Sequence, residues 1–412
     1  MLNRKGLLHS CLERLEAEDD EYVFAGRKIT DIANLVGNAP FYAYDLTAMT
    51  RKYSELKALI PDYIDVHYAI KANPHPDVVA HMATLVDGLD VASAGELKVA
   101  INTAIPAREI SFAGPGKSID DLSQAIIAGV TLNVESMLEI ERISGLGEQY
   151  GKTPRVAVRV NPDFELKTSG MKMSGGPKQF GIDSEIVPEA LQRIAHLGLD
   201  FQGFHIFSGS QNLRADAISE SQQKAVDLAI TLSEFAPSPI KTLNIGGGFG
   251  IPYFSGEKPL DIEAVAQTLS DLEPKINASL PDVNVVVELG RYLVGEAGIY
   301  VCKVVDRKIS RGEIFLVTNG GLHHHLAASG NFGQVIRKNY PVFVGNRVKG
   351  EGREICSVVG PLCTPLDLLA DKMEMARADV DDLIVVMQSG AYGATASPQG
   401  FLSHPPPAEI VI

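Results

Sequence analysis

Eight strand-like runs punctuate the chain between Ile64 and Gly290: IDVHYAIKA, GLDVAS, EISFAG, TLNVE, RVAVRVNP, FQGFHIF, KTLNIGG and NVVVELG. They recur roughly every 20–45 residues, and amphipathic runs such as PDVVAHMATLV and AISESQQKAVDLAITLSEF lie between them. Alternation of this length matches a (β/α)8 TIM barrel, which takes about 250 residues. An open, doubly wound sheet is the competing reading, because periodicity does not separate a closed sheet from an open one. After Gly290 the texture changes. AGIYVCKVVDRKI, EIFLVTNGG, EICSVVGPLC and DLIVVMQSGAYG read as strands with few long helices between them. At 412 residues the chain exceeds what one core usually holds. The expected fold is therefore α/β: a barrel over residues 40–290, then a β-rich domain (barrel or sandwich) over 291–412. An N-terminal helix and strand, residues 1–39, are expected to join the β-domain, with PFYAYD near it.

A formal net charge of −14 argues against nucleic acid or an anionic membrane as the main partner. The N-terminal run MLNRKGLLHSCLERLEAEDDEY reads as an amphipathic helix rather than a signal peptide, and no apolar run reaches transmembrane length. Cys11, Cys302, Cys356 and Cys363 are scattered without a CxxC pair, so a reducing cytoplasm without zinc or disulfides is the expectation. His323, His324 and His325 are consecutive. On a strand they would face alternate sides, which makes a poor chelate, so no metal is expected.

Catalytic residues of such barrels sit at the C-terminal ends of the strands. The out-of-place polar residues fall there. Lys71 ends the first run, Asp90 and Glu96 follow the second, Arg159 lies in the fifth and His205 in the sixth. GGGFG closes the seventh, and ELGR, with Glu288 and Arg291, closes the eighth. Each has a plainer reading alone: a surface lysine, a hydrogen-bonded core histidine, an ion-paired arginine, a tight turn. Their convergence on one rim favours a site. Gly246, Gly247 and Gly248 allow backbone N–H groups to close around an anion, and Arg291 would add a charge-assisted bond. A lysine facing a phosphate cradle suits a phosphorylated aldehyde such as pyridoxal 5′-phosphate. Glu288 would then keep the ring nitrogen protonated, and His205 would stack on the ring. Other phosphate ligands also suit a barrel. The Gly- and Lys-rich segment LKTSGMKMSGGPKQFG reads equally as a loop over the site or as a surface loop.

From about Pro40 onward the chain resembles the fold-type III pyridoxal-phosphate decarboxylases that act on ornithine, diaminopimelate and arginine. YAIKANP, DVASAGEL, RVNP, FHIFSGSQ, NIGGGFG, ELGRYLV, GPLCTPLD and GAYG carry the resemblance, in the family's order. It implies that Lys71 holds the cofactor as a Schiff base and that His205 stacks on its ring. Gly246–Gly248, Arg291, Tyr392 and Ser208 or Ser210 would bind its phosphate, Glu288 its pyridine nitrogen. Asp90 and Arg159 complete the implied cofactor set. Cys363 would protonate Cα after carbon dioxide leaves. The resemblance also implies a head-to-tail homodimer with shared active sites.

Departures from that pattern bear on the substrate. Family members acting on diamino acids follow the GPxC cysteine with an acid, where this chain has Thr364; Asp367 remains as a substitute. Asn319 stands where an Asp is usual, HHHLAAS replaces an Arg-Pro pair, and His404 replaces a C-terminal arginine. Thr364, Asp367 and His404 are thus the candidate substrate-binding residues. GPLCTP, HHHLAAS, SGMKMSGGPKQFG and FAGPGK are similar to a subgroup that decarboxylates an L-glutamyl thioester on an acyl-carrier protein, and to sequences associated with exopolysaccharide export. A diaminopimelate decarboxylase is the main alternative. An alanine-racemase-like enzyme would pair the ring nitrogen with arginine rather than Glu288. A non-catalytic homologue would be expected to have lost site residues.

Overall fold

The alternation closes on itself. The computed structural model of the chain describes residues 9–165, 171–334, 337–350 and 352–412. Two compact units emerge: Thr50–Ile251 with Pro259–Tyr292, and Met1–Met49 with Pro252–Lys258 and Leu293–Ile412.

In the first unit, β1 (Ile64–Ala69), β2 (Gly88–Val91), β3 (Ile110–Phe112), β4 (Thr131–Val134), β5 (Arg155–Asn161), β6 (Asp200–His205), β7 (Thr242–Gly247) and β8 (Asn284–Leu289) pair in parallel, each with the next. β8 then pairs with β1, with Glu288 opposite His67, and that last pairing decides for a barrel over an open sheet. All four residues of β4 are buried, as expected of a strand covered on its outer face by helices. Those helices include α1 (Pro76–Met82), α2 (Ala94–Ala100), α3 (Ile119–Ala128), α4 (Met137–Tyr150), α5 (Val187–His196), α6 (Ala215–Ser233) and α7 (Ile262–Ser279). Serines start three of them. Ser93, Ser118 and Ser136 each accept a backbone N–H from the helix's first turn, and Ser118 forms a capping box with Asp121. Caps at these points fix where each βα loop ends, and those loops carry the site.

The second unit is built on the long strand Gly298–Ser310, which pairs antiparallel with Phe41–Tyr44, Leu383–Val386 and Glu313–Thr318. Residues 40–49, expected in the barrel, group here instead, because Phe41–Tyr44 is buried between Gly298–Ser310 and Ala408–Val411. Phe41, Ala43, Ile299, Val301 and Val385 form the core with Ile29 and Ile32 of the helix Ile29–Val36. The expected N-terminal amphipathic helix begins outside the described residues; within them, Ser10–Arg14 is a single 3-10 turn. No helix among the described residues is long and apolar enough to cross a membrane.

The consecutive histidines have separate environments here. His324 Nε2 donates to the Pro405 carbonyl (2.9 Å). His325 is fully buried; its Nδ1 accepts from Ala328 N (3.2 Å), so its proton sits on Nε2, 2.9 Å from Ser389 Oγ. Burial pushes the His325 pKa down to about 3. A folded-state pKa below the unfolded value of about 6.5 means that the unfolded chain takes a proton that the folded chain refuses. Stability is therefore expected to fall as pH drops below about 6.5, with about 2 kcal/mol lost at pH 5 from this residue. Burial lowers the pKa of His323 and His324 too, and they act in the same direction. The raised carboxyls of Asp65, Glu96, Glu139 and Asp367 act against it, and His67, whose pKa is raised, adds a pH dependence only above the unfolded value. Urea denaturation at pH 6.5 and 5 checks it; coincident curves would refute it.

Candidate active site

Glu288 organises the rim. It is the penultimate residue of β8 and is 6% exposed. One oxygen lies 3.4 Å from Lys71 Nζ, the other 3.2 Å from His205 Nε2. Burial alone would raise its pKa, but the charges of Lys71, His205 and Arg159 hold it well below the usual carboxylate range. An ionised carboxylate only accepts, so His205 carries its proton on Nε2. His205 Nδ1 is buried and without a partner.

Lys71 is presented by a 3-10 turn, Ile70–Ala72, directly after β1. Its Nζ lies 5.6 Å from the centre of the Phe207 ring. Beyond β6, the Ser208 and Ser210 hydroxyls are also buried without partners. At the end of β7, Gly246 and Gly248 adopt φ of +72° and +76°, which a side chain would strain. A Cβ on Gly247 would sit 2.1 Å from the Glu288 carbonyl oxygen. Gly246 N–H is committed to Asn244 Oδ1 (2.8 Å), so that glycine shapes the cradle rather than donating to an anion. Arg291 opens the short helix Arg291–Val294 immediately after β8.

Arg159 joins this rim through Glu135, to which its Nη1 donates (2.9 Å), and it lies 4.9 Å from the Phe180 ring. The described part of the Gly- and Lys-rich segment is tied down at several points: Met171–Lys172 pairs antiparallel with Gly209–Ser210, Asn161 Nδ2 donates to the Gly176 carbonyl (3.1 Å), and Gly181 N–H donates to Glu135. Residues 166–170 of that segment lie outside the described residues.

Asp90 does not join the rim. Its carboxylate meets Ser111 Oγ and His67 Nδ1 (3.4 Å) inside the barrel. There it lines a cavity of about 40 Å³ with Asp65, Thr131, Thr242 and Asn284, the last three placed at or beside strand starts. One oxygen of Asp90 is thus spent on core partners, while the other, Oδ2, is buried without a partner.

Cys363, Thr364, Asp367, Tyr392 and His404 belong to the β-rich unit. The Cys363 thiol is exposed. Tyr392 has φ +53° and stacks against Phe332 at 6.4 Å. His404 lies 5.0 Å from the His323 ring. Asp367 departs from the substrate-facing expectation. It is 3% exposed and accepts Leu322 N–H on one oxygen (2.6 Å) and Leu362 N–H on the other (2.8 Å). A Cβ on Gly321 or Gly360 would collide with it at 2.2 or 2.3 Å. Asp367 thus pins the GGLHHH and GPLC loops together.

Sequence reasoning missed Glu135, Lys117 and Glu139. Glu135 follows β4 directly, as Lys71 follows β1, so the strand-end rule applied to it equally. Lys117 and Glu139 carried no such signal.

Three unpartnered buried polar atoms, a left-handed glycine cradle, and a lysine beside a buried carboxylate fit a phosphorylated pyridoxal: anion at β7, ring nitrogen at Glu288, aldehyde at Lys71. Comparison with known proteins agrees. The family described as "Pyridoxal-dependent decarboxylase, pyridoxal binding domain" matches residues 46–295. The L-glutamyl-(BtrI acyl-carrier protein) decarboxylase of Niallia circulans is 38% identical, over 90% of this chain and 88% of that protein. The diaminopimelate decarboxylase of Aquifex aeolicus is 30% identical, over 97% of this chain and 92% of that protein. The crystal structure of diaminopimelate decarboxylase from M. jannaschii with L-lysine matches with a TM-score of 0.87 at 25% identity, covering 97% of this chain and 93% of that one. The chain belongs to the pyridoxal-dependent decarboxylase family: it is a carboxy-lyase that takes pyridoxal 5′-phosphate as cofactor and an amino acid as substrate.

Proposed function

We propose that the substrate is an L-glutamyl group carried on an acyl-carrier protein, or another amino acid whose side chain ends without charge. The observation that carries this reading is the state of Asp367. A distal ammonium needs an acid that it can reach, because a charge left unpaired in a closed site is costly. Thr364 supplies none, and Asp367, 3% exposed, is out of reach, with both oxygens on backbone N–H groups. The likeness to a glutamyl-carrier decarboxylase points the same way.

Each residue then has a task. The Gly246–Gly248 turn, Ser208, Ser210, Arg291 and Tyr392 hold the cofactor's phosphate. Lys71 would hold the cofactor's aldehyde through its Nζ, beside Glu288. His205 covers the ring face, and Glu288 keeps a proton on the ring nitrogen. When bound, the cofactor supplies an electron sink for the pair left on Cα as carbon dioxide departs. Cys363 returns a proton to Cα.

The test of the substrate is carbon dioxide release from glutamyl-carrier protein beside free glutamate, lysine, ornithine and diaminopimelate. Turnover is expected with the carrier-bound group and at least about 10²-fold less with the free diamino acids. Robust turnover of free diaminopimelate would replace the reading with a diaminopimelate decarboxylase.

The chain is further proposed to act as a homodimer in which each site takes Cys363 from the partner chain. Lys71→Ala and Cys363→Ala proteins, each impaired alone, are expected on mixing to recover about a quarter of native activity, since half of randomly formed dimers then carry one intact site. No recovery after verified subunit exchange would refute the shared site.

A further inference from the structure

We propose that Lys117 is a positioning residue for the reaction: its ammonium neutralises Glu139, which leaves Glu135 committed to Arg159 and so holds the Arg159 guanidinium where its charge acts on Glu288. The inference rests on the reading of Glu288 as the partner of the cofactor's ring nitrogen.

Four charges lie buried in one cluster. Exposure is 1% for the Lys117 side chain, 10% for Glu139, 2% for Glu135 and 7% for Arg159. Each comes from a different place: Lys117 from the loop after β3, Glu135 from the end of β4, Glu139 from the first turn of α4, Arg159 from β5. Lys117 Nζ lies 2.6 Å from Glu139 Oε1 and donates to the Gly114 carbonyl (2.7 Å). Glu139 Oε2 accepts Glu135 N–H (2.6 Å). Glu135 Oε1 accepts Gly114 N–H (2.6 Å) and Arg159 Nη1 (2.9 Å), and its Oε2 accepts Gly181 N–H (3.1 Å). Gly114 is thus held from both sides, by Lys117 at its carbonyl and by Glu135 at its N–H.

Two cations balance two anions here, and burial makes an imbalance expensive. The charged groups that act on Glu139 are Lys117 and Glu135; Arg159 faces Glu135, and Asp121 of α3 faces Lys117. Without Lys117, two buried carboxylates share one guanidinium. The balance returns only if Glu139 takes up a proton. Burial already raises the Glu139 pKa despite Lys117, and losing Lys117 raises it further. Below that raised value the cluster is neutral and Arg159 stays in place. Above it, ionised Glu139 repels Glu135. Arg159 stands in register with His205, the donor to Glu288, on the adjacent strand, and its field at that carboxylate changes.

The test compares Lys117→Met, Glu139→Gln and the double variant as holoenzymes. Lys117→Met is expected to lose about tenfold in kcat at about pH 8 and to regain it towards pH 6, with KM unchanged within about twofold. The double variant is expected within about threefold of wild type at both pH values. A second readout needs no activity. In cofactor-stripped Lys117→Met, a folded-state pKa raised above the unfolded one makes stability fall as pH rises through it. Tm is therefore expected to fall more steeply between about pH 6 and 8 than in wild type, and the double variant to follow the wild-type slope set by groups such as His67. Should Lys117→Met fail to accumulate, Glu139→Gln decides alone. It frees Lys117 to draw Glu135 from Arg159, with about tenfold lower kcat and no pH dependence in that range. Wild-type kcat in either single variant, or a loss in Lys117→Met that Glu139→Gln does not repair, overturns the proposal. If wild-type protein releases no carbon dioxide, the reading of the site fails separately, while the stripped-protein series still reports on the Lys117–Glu139 pair.

Discussion

Borohydride treatment of the native holoenzyme is expected to fix a pyridoxyl group on Lys71, and Lys71→Ala is expected to take up no label and to lose on the order of 10³-fold or more in carbon dioxide release. The effect is large because, among the described residues, Lys71 is the amine that meets Glu288. A covalent anchor must be an amine at the rim, and Lys71 is the amine set beside Glu288, at 3.4 Å. The side chain is 41% exposed, so it reaches the rim's mouth while its charge is balanced from beneath. The phosphate cradle belongs to β6, β7 and β8 and does not involve Lys71, so Lys71→Ala should still bind the cofactor reversibly. Its absorption should be that of the free aldehyde, removable by dialysis. Tryptic mapping of the reduced proteins locates the label. A label on any other lysine, or near-native turnover by Lys71→Ala, would remove the residue from its role.

What the sequence could reveal follows from the range of the interactions involved. Strand runs and helix caps are local, and so the alternation, the rim positions of Lys71, His205 and Glu288, and the serine-capped helices were readable in order. Barrel closure was not, because the pairing of Glu288 with His67 joins residues far apart in the chain. Asp90 shows the limit of reading strand ends. Whether such a residue reaches the rim or stays in the interior depends on where its strand stops, and β2 carries it inward to His67 and Ser111. Asp367 shows another. Its nearness to Cys363 suggested a substrate contact, whereas its meaning lies in Gly321 and Gly360, whose bare Cα atoms make room for it once two distant loops meet. Lys117 and Glu139 look like surface charges in the sequence, and Glu135 carries only its strand-end position; their shared burial makes them a cluster.

Glu288→Gln is expected to keep the fold and the cofactor yet lose about 10²–10³-fold in kcat, with a smaller change in KM. Glutamine preserves shape and keeps a hydrogen-bond acceptor for His205 Nε2, so packing at this 6% exposed position is retained. What it removes is the negative charge. Without that charge no group at the end of β8 holds a proton on the ring nitrogen, and an unprotonated ring withdraws electrons poorly from Cα. The loss should therefore fall on the step in which charge develops, rather than on binding. Stability gives an independent check on the charge. A carboxylate whose folded-state pKa is depressed contributes stability that is present above its unfolded value and is lost as pH falls through the folded one. Glu288 is held well below the usual range by Lys71, His205 and Arg159 acting against burial. Its contribution in the cofactor-free protein should thus persist through pH 5 and fade only in strong acid, where Glu288→Gln and wild type converge in stability. A gap that closes instead between pH 7 and 5 would mean that Glu288 takes up its proton just below neutrality rather than in strong acid. The carboxylate would then be unable to retain one on the ring, and its assigned role would fall with it.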